Sequence, residues 1–300
     1  MKNSQLISDL SEQLSATTVQ ENDLHLQVSS QMPSLEQLDE LMQLLKRVFF
    51  PGFFDDLQPC TSNRLFHNGV AIERIHSIVR QQASRGLVFC CDVREQDVLQ
   101  QAEQVATDFL KQLPEIKRLL LTDIQAIAQH DPAVNNYAEV VFSYPAIQVM
   151  LHHRTAHALH RLGVPIIPRI IAEKAHSQTG IDIHPAATID EYFAIDHGTG
   201  IVIGATTIIG KHVMLYQGVT LGAKNFQYDV NGLPLDTPRH PIVEDNVTIY
   251  SNTSVLGRIR IGHDTIIGGN IWITQDVPPH SRILQSKPQR EYGFSDGAGI

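Results

Sequence analysis

The chain has 300 residues, a formal net charge of -9 at pH 7 and 42% hydrophobic residues. The negative charge argues against nucleic acid or an anionic membrane as the main partner, and no stretch reaches the ~20 apolar residues of a membrane span. Three cysteines and a first segment without an apolar run of signal-peptide length predict a cytoplasmic protein with no disulfide framework.

The first part of the chain has the spacing of helices. Residues 1–30 are polar and predict a mobile or loosely docked N-terminal segment. Helical spacing of apolar residues begins after Ser34, an expected N-cap, and stops at Pro51. The same spacing predicts further helices over 64–85, 96–113, 116–128, 145–161 and 168–177. We therefore expect an all-helical domain over residues 31–180.

Aliphatic residues recur at every sixth position in the last third of the chain. This period cannot be helical, because about 3.6 residues per turn would spread the aliphatics around the helix. It fits short strands on the three faces of a triangular coil. The repeat runs from Ile183 to Ile273, with a slip of two residues between Ile201 and Ile203. The predicted fold class is α+β, an N-terminal all-helical domain followed by a left-handed parallel β-helix over 181–283.

Two segments of this last third lie outside the six-residue register. Residues 222–242 are rich in Pro, Gly, Asn and Asp, which predicts a long loop leaving one corner of the coil. Insertions in solenoids usually lie on the working face. Residues 284–300 are polar and contain glycine, which predicts a C-terminal tail.

Four short motifs carry side chains of the kind that catalysis needs. They read HDPA at 130–133, DIHPAATI at 182–189, DHGTG at 196–200 and RHP at 239–241. Through these motifs and GVTLG at 218–222, the chain resembles serine O-acetyltransferases, the hexapeptide-repeat acyltransferases that make O-acetylserine for cysteine biosynthesis. The resemblance covers half of the chain, from Asp131 to about Pro279, with a loop after Leu221 that is longer than is usual in the family.

The resemblance implies that His197 is the catalytic base and that Asp182 is its partner. A serine hydroxyl is a poor nucleophile, so an imidazole must accept its proton as the oxygen attacks the thioester carbonyl. A carboxylate on the other ring nitrogen holds the tautomer and stabilises the imidazolium that forms. The spacing of these two residues is close to one coil of three hexads, and we expect them to meet across adjacent coils.

The resemblance assigns Asp131, Asp196 and Arg239 to serine binding, with His240 beside them. These residue types suit a zwitterion, because a guanidinium grips a carboxylate with two parallel hydrogen bonds and carboxylates attract an ammonium group. L-Serine and acetyl-CoA are therefore the expected small-molecule partners.

The resemblance places the co-substrate acetyl-CoA along the coil near Gly222, Ala223 and Ser251, where small residues let a pantetheine arm approach the backbone. No metal is expected. His153 and His157 have the spacing of a zinc helix, but the glutamate of that motif is missing.

The chain departs from the family in two places. Gly204-Ala205-Thr206 stands where the family commonly has Gly-Glu-Thr, and the loop after Leu221 replaces a short glycine-rich run. The catalytic set is intact.

The resemblance also implies protein partners. It predicts a homo-trimer or a dimer of trimers with active sites between subunits. The tail ending at Ile300 is similar to the acidic, glycine-rich tails that dock in the active site of O-acetylserine sulfhydrylase, and an extended peptide with a free carboxylate suits such capture.

Three alternatives stay open at this point. One is a CoA-dependent O-acetyltransferase for another small hydroxyl acceptor, such as a sugar. Another is a hexad-fold carbonic anhydrase, although His184, His197 and His240 do not have its metal-ligand spacing. The last is a non-catalytic scaffold that presents its tail to a partner, against which Asp182 and His197 argue.

Overall fold

A computed structural model of the chain describes residues 2–16, 32–54, 61–90, 95–225 and 237–286, together with residues 229, 232 and 235. Its helices are α1 (Lys2–Ser15), α2 (Leu35–Phe49), α3 (Thr61–Cys90), α4 (Glu95–His130), α5 (Tyr137–Ser143), α6 (Pro145–Arg161) and α7 (Ile167–Thr179). Among the described residues, no helix combines the length and the apolar character needed to cross a bilayer.

Helices α2 and α6 have the predicted bounds, and α3 and α7 extend theirs. Ser34 is the N-cap of α2, and its Oγ accepts a hydrogen bond from the Gln37 N–H at 3.2 Å. Two helices were not predicted. One is the short α5, and the other is α1, which occupies part of the segment read as polar and mobile. The side chains described in α1 are exposed, so its loose docking stays a prediction.

One prediction about this domain is wrong, because α4 runs unbroken through Pro114 where two helices were expected. A proline inside a helix removes one hydrogen bond and costs about 3 kcal/mol. Burial offsets that cost, since the apolar stripe continues in helical spacing on both sides of the proline through Phe109, Leu113, Ile116 and Leu120, all buried. The apolar spacing is visible in the sequence, but its burial on both sides of the proline is decided by the packing of the helices.

The strands are β1 (Asp182–Ile183), β2 (Thr188–Ile189), β3 (Ala194–Asp196), β4 (Val202–Ile203), β5 (Ile208–Ile209), β6 (Met214–Tyr216), β7 (Thr220–Gly222), β8 (Ile242–Val243), β9 (Thr248–Ile249), β10 (Ser254–Leu256), β11 (Arg260–Ile261), β12 (Ile266–Ile267), β13 (Trp272–Ile273) and β14 (Arg282–Ile283). All their pairings are parallel, and they form three sheets. The first face holds β1, β4, β7, β10 and β13, the second β2, β5, β8 and β11, and the third β3, β6, β9, β12 and β14. The predicted left-handed parallel β-helix is confirmed.

The six-residue repeat places its aliphatic residues inside this prism. Ile183, Ile203, Leu221, Val255 and Ile273 stack on successive strands of the first face and are buried. Each coil thus covers the apolar side chains of the coil below, which is how a solenoid builds its core.

The prism has three corners, which we name by the faces they join. The first corner lies between the first and second faces, the second between the second and third, and the third between the third and first. Asp182 pairs with Val202, twenty residues later, whereas Val202 pairs with Thr220, eighteen residues later. The predicted register slip is therefore a longer third corner, formed by residues 197–201.

The long loop leaves the first corner, because it joins β7 on the first face to β8 on the second. The predicted position at a corner is confirmed for the described ends of the loop. Residues 287–300, which include the end of the predicted tail at Ile300, lie outside the described residues.

A buried ion pair fastens the helical domain to the first coil. Arg154 on α6 donates two parallel hydrogen bonds to the Asp123 carboxylate on α4, each of 2.7 Å. Arg154 also donates to the carbonyl oxygens of Ile189 and Asp190 at the second corner, at 3.2 and 3.1 Å. Asp123 in turn accepts from the Phe193 N–H at 3.3 Å. Two helices and one coil are thereby held in fixed relation.

Helix α6 buries several histidines against the β-helix. Burial lowers the pKa values of His152 and His157, and it lowers that of His153 well below its usual range. The Nδ1 of His153 is buried and has no hydrogen-bond partner among the described residues, while His157 Nδ1 lies 2.8 Å from the Pro185 carbonyl oxygen. The folded chain therefore holds these imidazoles neutral.

Acidification from about pH 6.5 towards pH 5 is expected to lower the free energy of unfolding. Histidines of the unfolded chain take up protons near their ordinary pKa of about 6.5, whereas His153 in the folded chain does not, so the unfolded state binds more protons. The contribution of the neutral histidines to the free energy of unfolding is thus fully present above about pH 6.5 and is lost as the pH falls below it. Urea unfolding at pH 7.5 and 5 should show a smaller loss in His153→Leu than in the natural chain. His160→Asn, an exposed position on the same helix, should keep the full loss, and an equal loss in all three would refute the assignment.

Candidate active site

The motif at 196–200 places His197 on the enlarged third corner, directly after β3. Its backbone is left-handed, with a φ of 56°, and its side chain is 72% exposed. Other corner residues of the prism, among them His212 and Asn270, have the same left-handed backbone, so this conformation is a feature of the coil. The imidazole Nε2 lies 3.8 Å from Asp196 Oδ1. His197 is thus an accessible imidazole beside a carboxylate.

Asp131 lies near this corner, where α4 ends. Its Oδ1 accepts from the Ala133 N–H at 2.8 Å, and its Oδ2 accepts from the Tyr144 hydroxyl at 2.5 Å. These bonds, first of all the one from Tyr144, hold the pKa of the Asp131 carboxyl below its usual range, with a smaller contribution from His197. The same bond raises the pKa of Tyr144 to about 12. Asp131 is therefore a fixed anion on the side of the prism that carries His197.

Tyr144 was missed in the sequence. It is the N-cap residue of α6 and precedes Pro145. In the sequence this position indicates only the start of a helix. Besides Asp131, the Asp196 carboxylate contributes to its raised pKa, which places the hydroxyl near both predicted serine-binding carboxylates. Tyr144 thus orients Asp131 within this cluster.

Two more tyrosines, which the sequence analysis did not single out, lie on the coils that follow Asp196. Tyr216 pairs with Asp196 across adjacent coils, and Tyr250 stacks on Tyr216 with ring centroids 4.7 Å apart and planes 13° apart. Their spacing of one coil places both rings on the third face beside the third corner.

The predicted contact between Asp182 and His197 is absent. Asp182 lies on β1, and its carboxylate is near Glu173 and His176 of α7, with ligand-type atoms of the three within 4.8 Å of one another. Among the described residues, no ion pair within 4.0 Å joins Asp182 to His197. Asp182 as the partner of the base stays a prediction, and Asp196 is the carboxylate found within that distance.

Arg239 and His240 lie on the first corner, where Thr206 anchors the returning loop. The Thr206 hydroxyl oxygen accepts from the backbone N–H groups of Arg239 and His240, at 2.9 and 3.1 Å. Gly204 is required beneath them, because a Cβ at this position would lie 1.9 Å from the His240 ring. Thr206 and Gly204 both belong to the segment in which alanine replaces the family's usual glutamate.

The hydrogen bonds of His240 define its chemistry. Its Nδ1 accepts from the Thr206 backbone N–H at 3.1 Å, so the neutral ring carries its proton on Nε2. Burial, with smaller effects of Arg239, His184 and Arg258, lowers the pKa of His240 to about 4. His240 is therefore a neutral hydrogen-bond donor at physiological pH.

The residues predicted to contact CoA also lie on corners. Gly222 ends β7 at the first corner and pairs with Leu256. Ala223 follows it, next to a cleft of about 260 Å³ with cationic side chains in its lining. The cleft is lined by Lys224, Asn225, Thr237, Pro238, Arg239, Leu256, Gly257, Arg258, Ile259 and Thr274. Ser251 lies on the third corner, where its carbonyl oxygen accepts from the Asn270 N–H at 2.8 Å.

The predicted site residues therefore form two sets on two corners of one prism. The third corner has Asp131, Asp196, His197 and Ser251. The first corner has Gly222, Ala223, Arg239 and His240. The two corners flank the first face, and a single chain does not bring the base together with the arginine. Two larger clefts, of about 650 and 710 Å³, lie in the helical domain and contain none of the predicted residues.

Comparison with known proteins adds sequence and structural evidence. Residues 87–148 match the family described as serine acetyltransferase, N-terminal. The relative named serine acetyltransferase, plasmid, of Synechococcus elongatus is 41% identical over 276 residues, which are 90% of this chain and 86% of the relative. The chain belongs to the serine acetyltransferase family. Serine acetyltransferase of Synechocystis sp. is 42% identical over 165 residues, covering 55% of this chain and 63% of that one.

Solved structures agree with this family. Entamoeba histolytica serine acetyltransferase 1, in complex with L-cysteine, is 36% identical with a TM-score of 0.72, covering 81% of this chain and 86% of that one. Isoform 3 from the same organism, in complex with cysteine, is 31% identical with a TM-score of 0.73, covering 98% and 94%. This serine acetyltransferase is thus an acyltransferase enzyme, and the scaffold alternative is excluded.

Proposed function

We propose that this serine O-acetyltransferase builds each active site from two chains, the third corner of one against the first corner of the next. It transfers the acetyl group of acetyl-CoA to the L-serine hydroxyl in cysteine biosynthesis. The observation that carries the two-chain site is the division of the predicted residues between two corners. In a ring of three prisms, every contact joins one corner of each kind, as a heterologous closed interface requires.

The outward side chains of the first face support such a ring. This face lies between the two corners, and its outward positions carry Val202, Thr220, Ser254 and Trp272. Trp272 is the only tryptophan of the chain and is 70% exposed. An exposed tryptophan among small side chains suits a protein interface. A homo-trimer with the first faces inward covers it, and a dimer of trimers adds contacts elsewhere.

Serine is held at this interface as a zwitterion. Asp131 and Asp196 on one chain attract its ammonium group, and Arg239 of the next chain binds its carboxylate. Tyr144 fixes Asp131 and so sets where the ammonium lies. The related Entamoeba structures contain cysteine, an amino acid with the same two charged groups.

The chemical step follows from the side chains at the two corners. His197 accepts the proton of the serine hydroxyl as its oxygen attacks the thioester carbonyl carbon. His240 donates its Nε2–H to the oxyanion that forms, which a neutral ring does without gaining or losing a proton. The C–S bond then breaks, the proton on His197 passes to the departing CoA sulfur, and O-acetylserine remains. Asp196, or Asp182 after a rearrangement, stabilises the imidazolium.

Acetyl-CoA binds along the same groove. Gly222 and Ala223 let the pantetheine arm approach the backbone, and Ser251 of the other chain closes the groove. The cleft beside them offers Lys224 and Arg258 to the phosphates. No metal enters the step, because imidazole, guanidinium and carboxylate groups supply every proton transfer and charge that it needs.

A mixing experiment tests the two-chain site. His197→Asn and Arg239→Gln variants should each be almost inactive in serine-dependent thiol release from acetyl-CoA. Unfolding and refolding of an equal mixture should restore about a quarter of the natural activity, because each interface pairs the two intact corners with a probability of about one in four. A site within one chain leaves every mixed oligomer inactive.

The controls decide what a negative result means. Each variant refolded alone must stay inactive, and the natural chain refolded alone must recover its activity. Absence of restoration in a mixture whose subunits demonstrably exchange would refute the two-chain site, and absence of release by the natural chain with L-serine would refute the substrate.

The proposal includes a cytoplasmic location and a partner. The tail ending at Ile300 resembles those that dock into O-acetylserine sulfhydrylase, the enzyme that consumes the product. This association brings the site that makes O-acetylserine close to the enzyme that consumes it.

A further inference from the structure

A second cluster of histidine and aspartate side chains lies at the second corner, near the end of the β-helix. His263, Asp264 and His280 each offer one ligand-type atom there, and these atoms lie within 4.8 Å of one another. None of the three belongs to the predicted active site. The second corner is opposite the first face and separate from both corners that carry the catalytic and binding residues.

The coil geometry creates this cluster. His263 and Asp264 are on the turn after β11, and His280 is on the turn one coil later, before β14. The His280 N–H donates to the His263 carbonyl oxygen at 2.9 Å, which fixes the two turns against each other. Neighbouring strands lie about 4.8 Å apart, so side chains on successive corners are close enough to reach one ion between them.

The side chains converge on one carboxylate oxygen. His263 Nδ1 lies 2.7 Å and His280 Nδ1 lies 3.7 Å from Asp264 Oδ2. The two imidazole planes are nearly perpendicular, at 87°, with centroids 4.9 Å apart. All three side chains are between 42% and 71% exposed, which leaves a path for an ion from solvent.

We propose that His263, Asp264 and His280 bind a divalent transition-metal ion of the zinc class. Two imidazole nitrogens and one carboxylate oxygen are the ligands that Zn²⁺ takes at about 2.0–2.2 Å, with water at the remaining position. On binding, the proton on each coordinating Nδ1 moves to Nε2, and the imidazoles stay neutral.

The neighbouring carboxylate of Glu244 does not compete for the ion, because it is already bonded to other groups. Glu244 accepts from the His263 N–H at 3.0 Å and forms an ion pair with Arg260 at 2.7 Å. Its carboxylate therefore orients the backbone beneath the site. Because the ligands come from two successive coils, the ion joins the last coil to the one before it and stabilises the end of the β-helix against fraying.

One other group of described residues has comparable spacing, formed by Glu173, His176 and Asp182. It contains the carboxylate predicted to assist the base and carries no separate proposal. Its presence means that total zinc binding is not a sufficient readout. The experiment must follow the loss of binding in matched variants.

The test is titration of the full-length protein with Zn²⁺ against a chromogenic chelator. His280→Asn and Asp264→Asn should each weaken one zinc site per chain by at least about tenfold. His212→Asn is the matched control, because His212 is a second-corner histidine with a φ of 56° that stacks on Tyr192 outside the cluster. It should bind zinc as the natural chain does. Asparagine tolerates the left-handed backbone at all three positions.

A thermal measurement provides the second readout. Zn²⁺ should raise the Tm of the natural chain and of His212→Asn, and it should leave the Tm of His280→Asn nearly unchanged. Mg²⁺ should raise none of them, because imidazole suits zinc and not a hard cation. Equal zinc affinity in the natural chain and both ligand variants would overturn the proposal, as would an equal loss in His212→Asn.

Discussion

Replacement of His197 by asparagine is expected to lower kcat by about 10²–10⁴-fold, the usual contribution of a general base. The KM for L-serine should change little, because Asp131, Asp196 and Arg239 hold the charged groups of the amino acid in the proposed site. The measurement is serine-dependent thiol release from acetyl-CoA by the purified variant, with substrate concentrations varied to separate kcat from KM. Asparagine tolerates the left-handed backbone that His197 adopts, with a φ of 56°.

The matched control is His212→Asn, which changes the same residue type in the same backbone conformation, with a φ of 56°, on another corner of the prism. Its kcat should stay within a factor of about two of the natural value, because His212 stacks on Tyr192 and contacts none of the predicted site residues. A His197→Asn variant that keeps its natural kcat would exclude the imidazole as the base. An equal loss of kcat in His212→Asn would show that the loss comes from disturbing a corner of the prism and not from removing the base.

Replacement of Arg154 by methionine is expected to lower the free energy of unfolding by about 3–5 kcal/mol, the cost of leaving one charge of a buried pair without its partner. Asp123 has 0% exposure and Arg154 has 5%. Burial raises the pKa of Asp123 and the Arg154 guanidinium opposes this, so the variant leaves a carboxylate that must be desolvated or protonated. Chemical denaturation at fixed protein concentration measures the loss.

Two further variants separate burial from charge. Arg74→Met removes a guanidinium from the Glu40 carboxylate at 2.7 Å, but both side chains are exposed, by 44% and 40%. It should cost less than about 1 kcal/mol. The double variant Asp123→Leu with Arg154→Met should lose less than the sum of the two single losses, because no buried charge remains. Equal losses of stability in Arg154→Met and Arg74→Met would show that burial does not strengthen the ion pair between Arg154 and Asp123.

The β-helix was predictable because its signal is local and repeated. A side chain at every sixth position must point inward when each hexad contains one strand and one corner, so Ile183 and its repeats could be placed without knowledge of the rest of the chain. The two extra residues before Ile203 showed in the same way that the third corner is enlarged at His197. Helix bounds such as those of α6 followed from a proline at the start and a glycine beyond the end.

The long α4 and the short α5 were not predictable by the same reasoning. Pro114 is a strong local helix breaker, and only burial of the stripe on both sides of it outweighs the lost hydrogen bond. Tyr144 gave no sequence signal of its role, because its hydroxyl meets Asp131 only when α6 folds back against the end of α4. Contacts of this kind depend on the packing of helices and not on neighbours in the chain.

The amino-acid pattern alone was sufficient for the class of fold and for the order of helices and coils, whereas the residues predicted for the site came from the family resemblance. Packing alone showed where those residues lie. Arg239 and His197 belong to one motif set in the sequence, yet the prism puts them on different corners, because a residue's corner depends on its position within one three-strand turn of the coil. The same stacking brings His280 against His263 and Asp264 of the preceding coil.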